Sequence, residues 1–217
     1  MKNKKTLYHF ILDRSGSMRD CVEETLECFN TQLEVIQTLQ KEYPDQEILM
    51  SFTIFNEEIE NIFLQTMVDN FEVITDQMYR PHGLTALLDA IGGSINQIIT
   101  QNEMEISQKE ISIVMLILTD GHENASKEYN YHQIAKMIKE LEATDQWTFT
   151  FLGADIDAMH TSKMININEK NVRSFNKNEY NSMMNELSYG LRDYTHSKST
   201  GKIKKDFFGK NPNEDKE

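Results

Sequence analysis

The sequence predicts an α/β fold: a doubly wound, mostly parallel sheet with one antiparallel edge strand and helices on both faces. Three observations point to it. The apolar runs Leu7–Leu12 and Ile111–Leu118 show no polar alternation, the pattern of strands buried on both faces. Between such runs lie stretches with apolar residues three and four apart, the period of an amphipathic helix. Two strand-like runs, Ile48–Phe55 and Ile59–Leu64, are joined only by Asn56-Glu57-Glu58, a link that suits a hairpin and is too short for a parallel crossover.

Taken in order, the strand at Leu7–Leu12 leads through a Ser-Gly turn into a long helix. Val22, Leu26, Phe29, Leu33, Ile36 and Leu39 mark its buried stripe, and Tyr43-Pro44 ends it. The hairpin follows, its second run expected at a sheet edge. Leu84–Ile99 has helical periodicity despite Gly92 and Gly93, which each cost about 1 kcal/mol within a helix and suggest close packing on a sheet. Ile111–Leu118 is the strongest buried-strand signal; a Thr119-Asp120-Gly121 turn and a helix around His132–Leu141 come after it. Trp147–Leu152 reads as a strand, Ile156–Lys163 as a short helix, Val172–Phe175 as a weak strand and Glu179–Tyr194 as the last helix. One domain over residues 1–196 is expected. Residues 197–217 have six lysines and four carboxylates in their last twenty positions, and they read as a polar, flexible tail in which Phe207 and Phe208 are a possible docking motif.

With 22 Lys and Arg against 35 Asp and Glu, the chain of 217 residues carries a formal charge of −13. That field repels polyphosphates and argues against nucleic acid as a partner. No run approaches the ~18 uncharged apolar residues of a membrane span, and the basic start Met1–Lys5 is followed by an apolar run that is too short for an export signal and contains His9. No membrane insertion and a cytoplasmic location are therefore expected. Cys21 and Cys28, seven apart on one helix, are about 10 Å apart and beyond disulfide reach.

Chemistry is concentrated in three short segments. Asp13-Arg14-Ser15-Gly16-Ser17 lies where the first strand meets the first helix, the place where open parallel sheets bind ligands. One carboxylate and two hydroxyls on a tight turn offer hard oxygen donors, which suit a hard divalent cation; equally, Ser15 or Ser17 could simply cap the helix. Asp120 ends the strand expected at the sheet centre, so it would emerge beside Asp13, where two carboxylates need a cation or a proton between them. Taken alone, Asp120-Gly121 is an ordinary turn. Thr85, at the start of the glycine-containing helix, is either a third donor or another cap. His82 reads as an exposed loop residue, His122, Glu123 and Asn124 as solvated loop polarity with shaping of partner choice as the alternative, and Met137, Met159, Met164, Met183 and Met184 as packing residues.

Together, Asp-x-Ser-x-Ser after the first strand, a Thr at a later helix start and Thr-Asp-Gly after a central strand resemble the von Willebrand factor A domain with its metal-ion-dependent adhesion site. The element order fits from about Thr6 to Tyr194. Through residues 8–18, 85–91 and 152–155 the chain looks most like the small stand-alone A domains of bacteria and their phages. The resemblance implies a Rossmann-like fold and a site for Mg²⁺ or Mn²⁺. In it the Ser15, Ser17 and Thr85 hydroxyls bind the ion, Asp13 and Asp120 act directly or through water, and one position stays open for a partner's Asp or Glu. A metal-dependent protein-binding module is thus expected. The alternatives are a metal-dependent hydrolase or phosphatase, and a scaffold whose metal is purely structural. Against an enzyme, Asp13 is not followed by the second Asp of an Asp-x-Asp pair, and neither a P-loop nor Gly-x-Ser-x-Gly occurs.

Overall fold

A computed structural model describes residues 4–120, 122–154, 156–175 and 180–209. Its strands are β1 (Lys5–Asp13), β2 (Glu47–Phe55), β3 (Ile59–Met67), β4 (Ile111–Thr119), β5 (Trp147–Ala154) and β6 (Val172–Phe175). They form one sheet in the order β3-β2-β1-β4-β5-β6. All neighbours are parallel except β2 and β3, as the three-residue link requires. The helices are α1 (Val22–Glu42), α2 (Leu87–Gln101), α3 (Glu103–Ser107), α4 (Tyr131–Glu142), α5 (Ile156–Met164) and α6 (Tyr180–Ser199).

Strand alternation divides the core in two. Tyr8, Phe10, Leu12, Val114 and Leu116 pack under α1 and α6, while Leu7, Ile11, Ile113, Met115 and Ile117 pack under α2 and α4. Both faces of β1 and β4 are thereby covered, which is why their sequences lack alternation. Cys21 and Cys28 are buried. Among the described residues no helix is long and apolar enough to cross a membrane.

Three expectations need correction. Gly92 meets the ring of Tyr129, not a strand: a Cβ there would lie 2.6 Å from Tyr129, whereas Gly93 faces open space. Met164 is exposed instead of packed. The tail expected from residue 197 is the largest difference, because α6 continues to Ser199 and the chain returns to bury Phe207 and Phe208. Phe207 fills a notch that only Gly190 leaves open, where a Cβ would lie 2.5 Å from its ring. Asn171 accepts from the Phe207 N–H (2.7 Å) and donates to the Lys205 carbonyl (2.9 Å). The Arg173 guanidinium lies 4.6 Å from the centre of the Phe208 ring and donates to that residue's carbonyl. Burying two aromatic rings outweighs the polar composition around them. Residues 210–217 lie outside the described residues.

Two outcomes follow for stability. Phe207→Ala should cost about 3–5 kcal/mol in urea unfolding, the usual cost of a buried Phe, whereas a disordered segment would give no change. The second concerns His9, fully buried on β1 with Nε2 3.1 Å from the Thr53 hydroxyl and, among the described residues, no hydrogen-bond partner at Nδ1. Burial pulls its imidazole from 6.5 down to about 3. The folded chain keeps it neutral while the unfolded chain takes up a proton below 6.5, so its contribution is full above that pH and lost as pH falls toward 3. Between pH 7 and 5 the wild type should therefore lose about 2 kcal/mol more than His9→Leu.

Candidate metal centre

The carboxyl ends of β1 and β4 lie side by side because their register pairs Leu12 with Leu118. The next residues, Asp13 and Thr119, are therefore neighbours, and the Thr119 hydroxyl donates to Asp13 Oδ2 at 2.5 Å. Asp13 Oδ1 accepts from the Ser15 N–H at 2.6 Å, and the Tyr79 hydroxyl donates to the Asp13 carbonyl at 2.5 Å. The Asp13 carboxyl has no solvent exposure. Burial pushes it up to about 6 against the opposing pull of Thr119 and Ser15, and the nearby charge of Asp120 adds to the rise.

After Asp13 the chain turns through a 3₁₀ segment, Gly16–Cys21, before α1. Neither serine side chain caps it. Ser17 donates instead to Asp120 Oδ1 at 2.7 Å, and its oxygen lies 3.0 Å from that of Ser15. Since the Ser17 proton is committed to Asp120, Ser15 is the donor in the second contact. Asp13, Ser15, Ser17 and Asp120 are thus drawn together as expected.

Thr85 comes to this end of the sheet by another route. It is buried two residues before α2, which begins after Ala86, so it is not the helix cap. Its N–H donates to Asn124 Oδ1 at 2.9 Å, and its carbonyl accepts from the Asn124 and Ala125 N–H groups. Among the described residues no hydrogen bond ties its hydroxyl to the other four. Gly83, at φ 77°, brings this loop against the first: its carbonyl accepts from the Gly16 N–H at 3.1 Å. A Cβ at Gly83 would sit 1.9 Å from Glu57 Oε2, which accepts from the Leu84 N–H. Gly121 lies outside the described residues, as does Asp155.

Several working residues escaped the sequence reading. Thr119 and Tyr79 orient Asp13. Asp89 accepts the N–H groups of Lys127, Glu128 and Tyr129, and Glu123 accepts those of Leu88, Ala125 and Ser126 together with the Ser126 hydroxyl. Glu123 thus holds the loop after Asp120 and is not the merely solvated loop residue the sequence suggested. His82 is exposed, as expected, and its N–H donates to the Arg14 carbonyl at 2.8 Å.

The donor set is oxygen only, two carboxylates and neighbouring hydroxyls, and it fits a hard divalent cation. Among the described residues no three His, Cys, Asp or Glu side chains are grouped to hold an ion, so any ion here depends on the hydroxyls. The family model for the von Willebrand factor type A domain matches residues 9–189. The chain belongs to this family.

Solved structures of similar fold include proximal thread matrix protein 1 from the mussel byssus, at 15% identity and TM-score 0.53, covering 87% of this chain and 46% of that one. Another structure of the same protein, described as having a zinc-occupied MIDAS motif, has the same identity and TM-score and covers 92% and 47%. The ArnB paralog VWA2 from Sulfolobus acidocaldarius matches at 15% identity and TM-score 0.50, covering 86% and 44%. The chain spans less than half the length of these three structures. No curated protein matches it.

Asp89→Ala leaves three backbone N–H groups without their acceptor, and it should destabilise the domain by about 2–3 kcal/mol in urea unfolding. A cost under about 0.5 kcal/mol would show that Asp89 does not organise the loop.

Proposed function

We propose that this chain is a metal-dependent protein-binding module, not an enzyme, that works in the cytoplasm and recognises an Asp or Glu of a partner through bound Mg²⁺ or Mn²⁺. The observation that carries this reading is the hydrogen-bonded line from Thr119 through Asp13 to Ser15, Ser17 and Asp120. It joins oxygen donors from two distant segments at the ligand-binding edge of a parallel sheet. Ser15, Ser17 and Thr85 supply hydroxyl oxygens. Asp13 and Asp120 supply the charge, directly or through water.

Two formal negative charges leave a dication one able to attract a third. When bound, the ion supplies a positive centre for a carboxylate. Leu84, 54% exposed beside Thr85, offers an apolar contact at the rim. The description of a related structure as having a zinc-occupied MIDAS motif supports the assignment of the site.

Calorimetry should show saturable Mg²⁺ or Mn²⁺ binding of modest affinity that disappears in Asp13→Ala/Asp120→Ala with the far-ultraviolet spectrum unchanged; equal binding by both proteins would refute the site. Partner capture should require the cation, stop with EDTA and be lost in Thr85→Ala. Converting one partner carboxylate to its amide should weaken binding more than any single change at the rim, because a screened rim contact is worth only about 0–1 kcal/mol.

A further inference from the structure

The end of the sheet opposite the metal centre carries a cleft of about 330 Å³, within the size range of small-molecule sites. The turns that precede β4 and β5 form two of its sides, and the end of α6 with the segment that follows forms the third. The charged groups of its lining are Lys109, Asp145, Lys198, Lys202 and Lys204. Asp145 is paired with Lys205 at 2.5 Å, and Lys204 with Asp193. Those pairs cancel. Lys109, Lys198 and Lys202 have no carboxylate partner among the described residues, on a chain whose net charge is −13.

Lys198 forms the inner wall and is 9% exposed. Its ammonium donates to the Lys5 carbonyl and, at 2.5 Å, to the Thr6 hydroxyl, two neutral acceptors for three N–H donors. Burial holds it down to about 7, the mark of a cation placed without a counter-charge. The rim also carries a conformational cost at Lys109. Lys109 (φ 57°), Asp145 (φ 62°) and Gly201 (φ 76°) are all left-handed, a region a lysine rarely enters.

We propose that this cleft binds a small molecule carrying a phosphate or pyrophosphate group, held by Lys109, Lys198 and Lys202. Three lysines acting as point charges match a multivalent anion better than a single carboxylate. The bound anion supplies the counter-charge that Lys198 lacks. The cleft is separate from the metal centre and shares none of its residues, so its ligand needs no divalent cation.

Calorimetry of the full chain with pyrophosphate at low ionic strength, without divalent cation, tests this. Saturable one-to-one binding is expected, weakened about tenfold or more in Lys109→Asn/Lys202→Gln. Both positions are exposed, and Asn tolerates the left-handed backbone, so this variant keeps the fold. Binding should persist in Asp13→Ala/Asp120→Ala and in the control Lys136→Gln/Lys170→Gln, which neutralises two lysines outside the cleft. No saturation at millimolar pyrophosphate, wild-type affinity in Lys109→Asn/Lys202→Gln, or equal weakening by the control variant would each overturn the proposal.

Discussion

The buried carboxyl of Asp13 is the constraint around which one end of this molecule is organised. A carboxylate removed from water costs several kcal/mol unless hydrogen bonds or charge replace the lost solvation. The Ser15 N–H and the Thr119 hydroxyl supply that replacement, one from the next turn and one from the neighbouring strand. The Ser15 contact is local to the turn, whereas the Thr119 contact depends on the pairing of β1 with β4. A slip of one residue would turn Asp13 to the other face and move Thr119 out of reach. Sheet register and site are therefore the same fact.

From that anchor the remaining loops are held by carboxylates used as backbone acceptors. Glu57 takes the Leu84 N–H, Asp89 takes three successive N–H groups of the loop that leads into α4, and Glu123 ties that loop to the start of α2. The backbone N–H groups of Glu57 and Leu84 hold the Glu57 carboxyl below its usual range. Three of the 35 Asp and Glu side chains, which the composition suggests as solvated surface, are thus structural near the site. Acidic side chains that fix the loops also add to the negative field around a bound cation.

The two ends of the sheet have opposite characters. Parallel strands place all their carboxyl ends on one side, which gathers Asp13, Asp120 and the Thr85 loop there. The opposite side receives the turns before β4 and β5 and the end of α6, where lysines accumulate. This von Willebrand factor A domain therefore presents an oxygen-lined end and, opposite it, a lysine-lined cleft.

The sequence by itself determined the layer architecture. Apolar runs without alternation, helical periods between them and the short Asn56-Glu57-Glu58 link depend on local spacing, and they carried the parallel sheet, its antiparallel edge and the order of elements. It also marked Asp13, Ser15 and Ser17, which lie close along the chain on one turn, and through the family resemblance Thr85 and Asp120 on two further segments. What pairs across the sheet was decided only by the tertiary structure. Thr119 on Asp13, Tyr79 on the Asp13 carbonyl and Asp89 under residues 127–129 join positions 38 to 106 residues apart, and no local pattern encodes such partners. The burial of Phe207 belongs to the same class, since the notch at Gly190 exists only once α6 is packed, while the lysines around it made the segment look like solvent-exposed tail. Local periodicity reports which face of an element is buried; the contacts that close a site depend on long-range register, which only the folded chain sets.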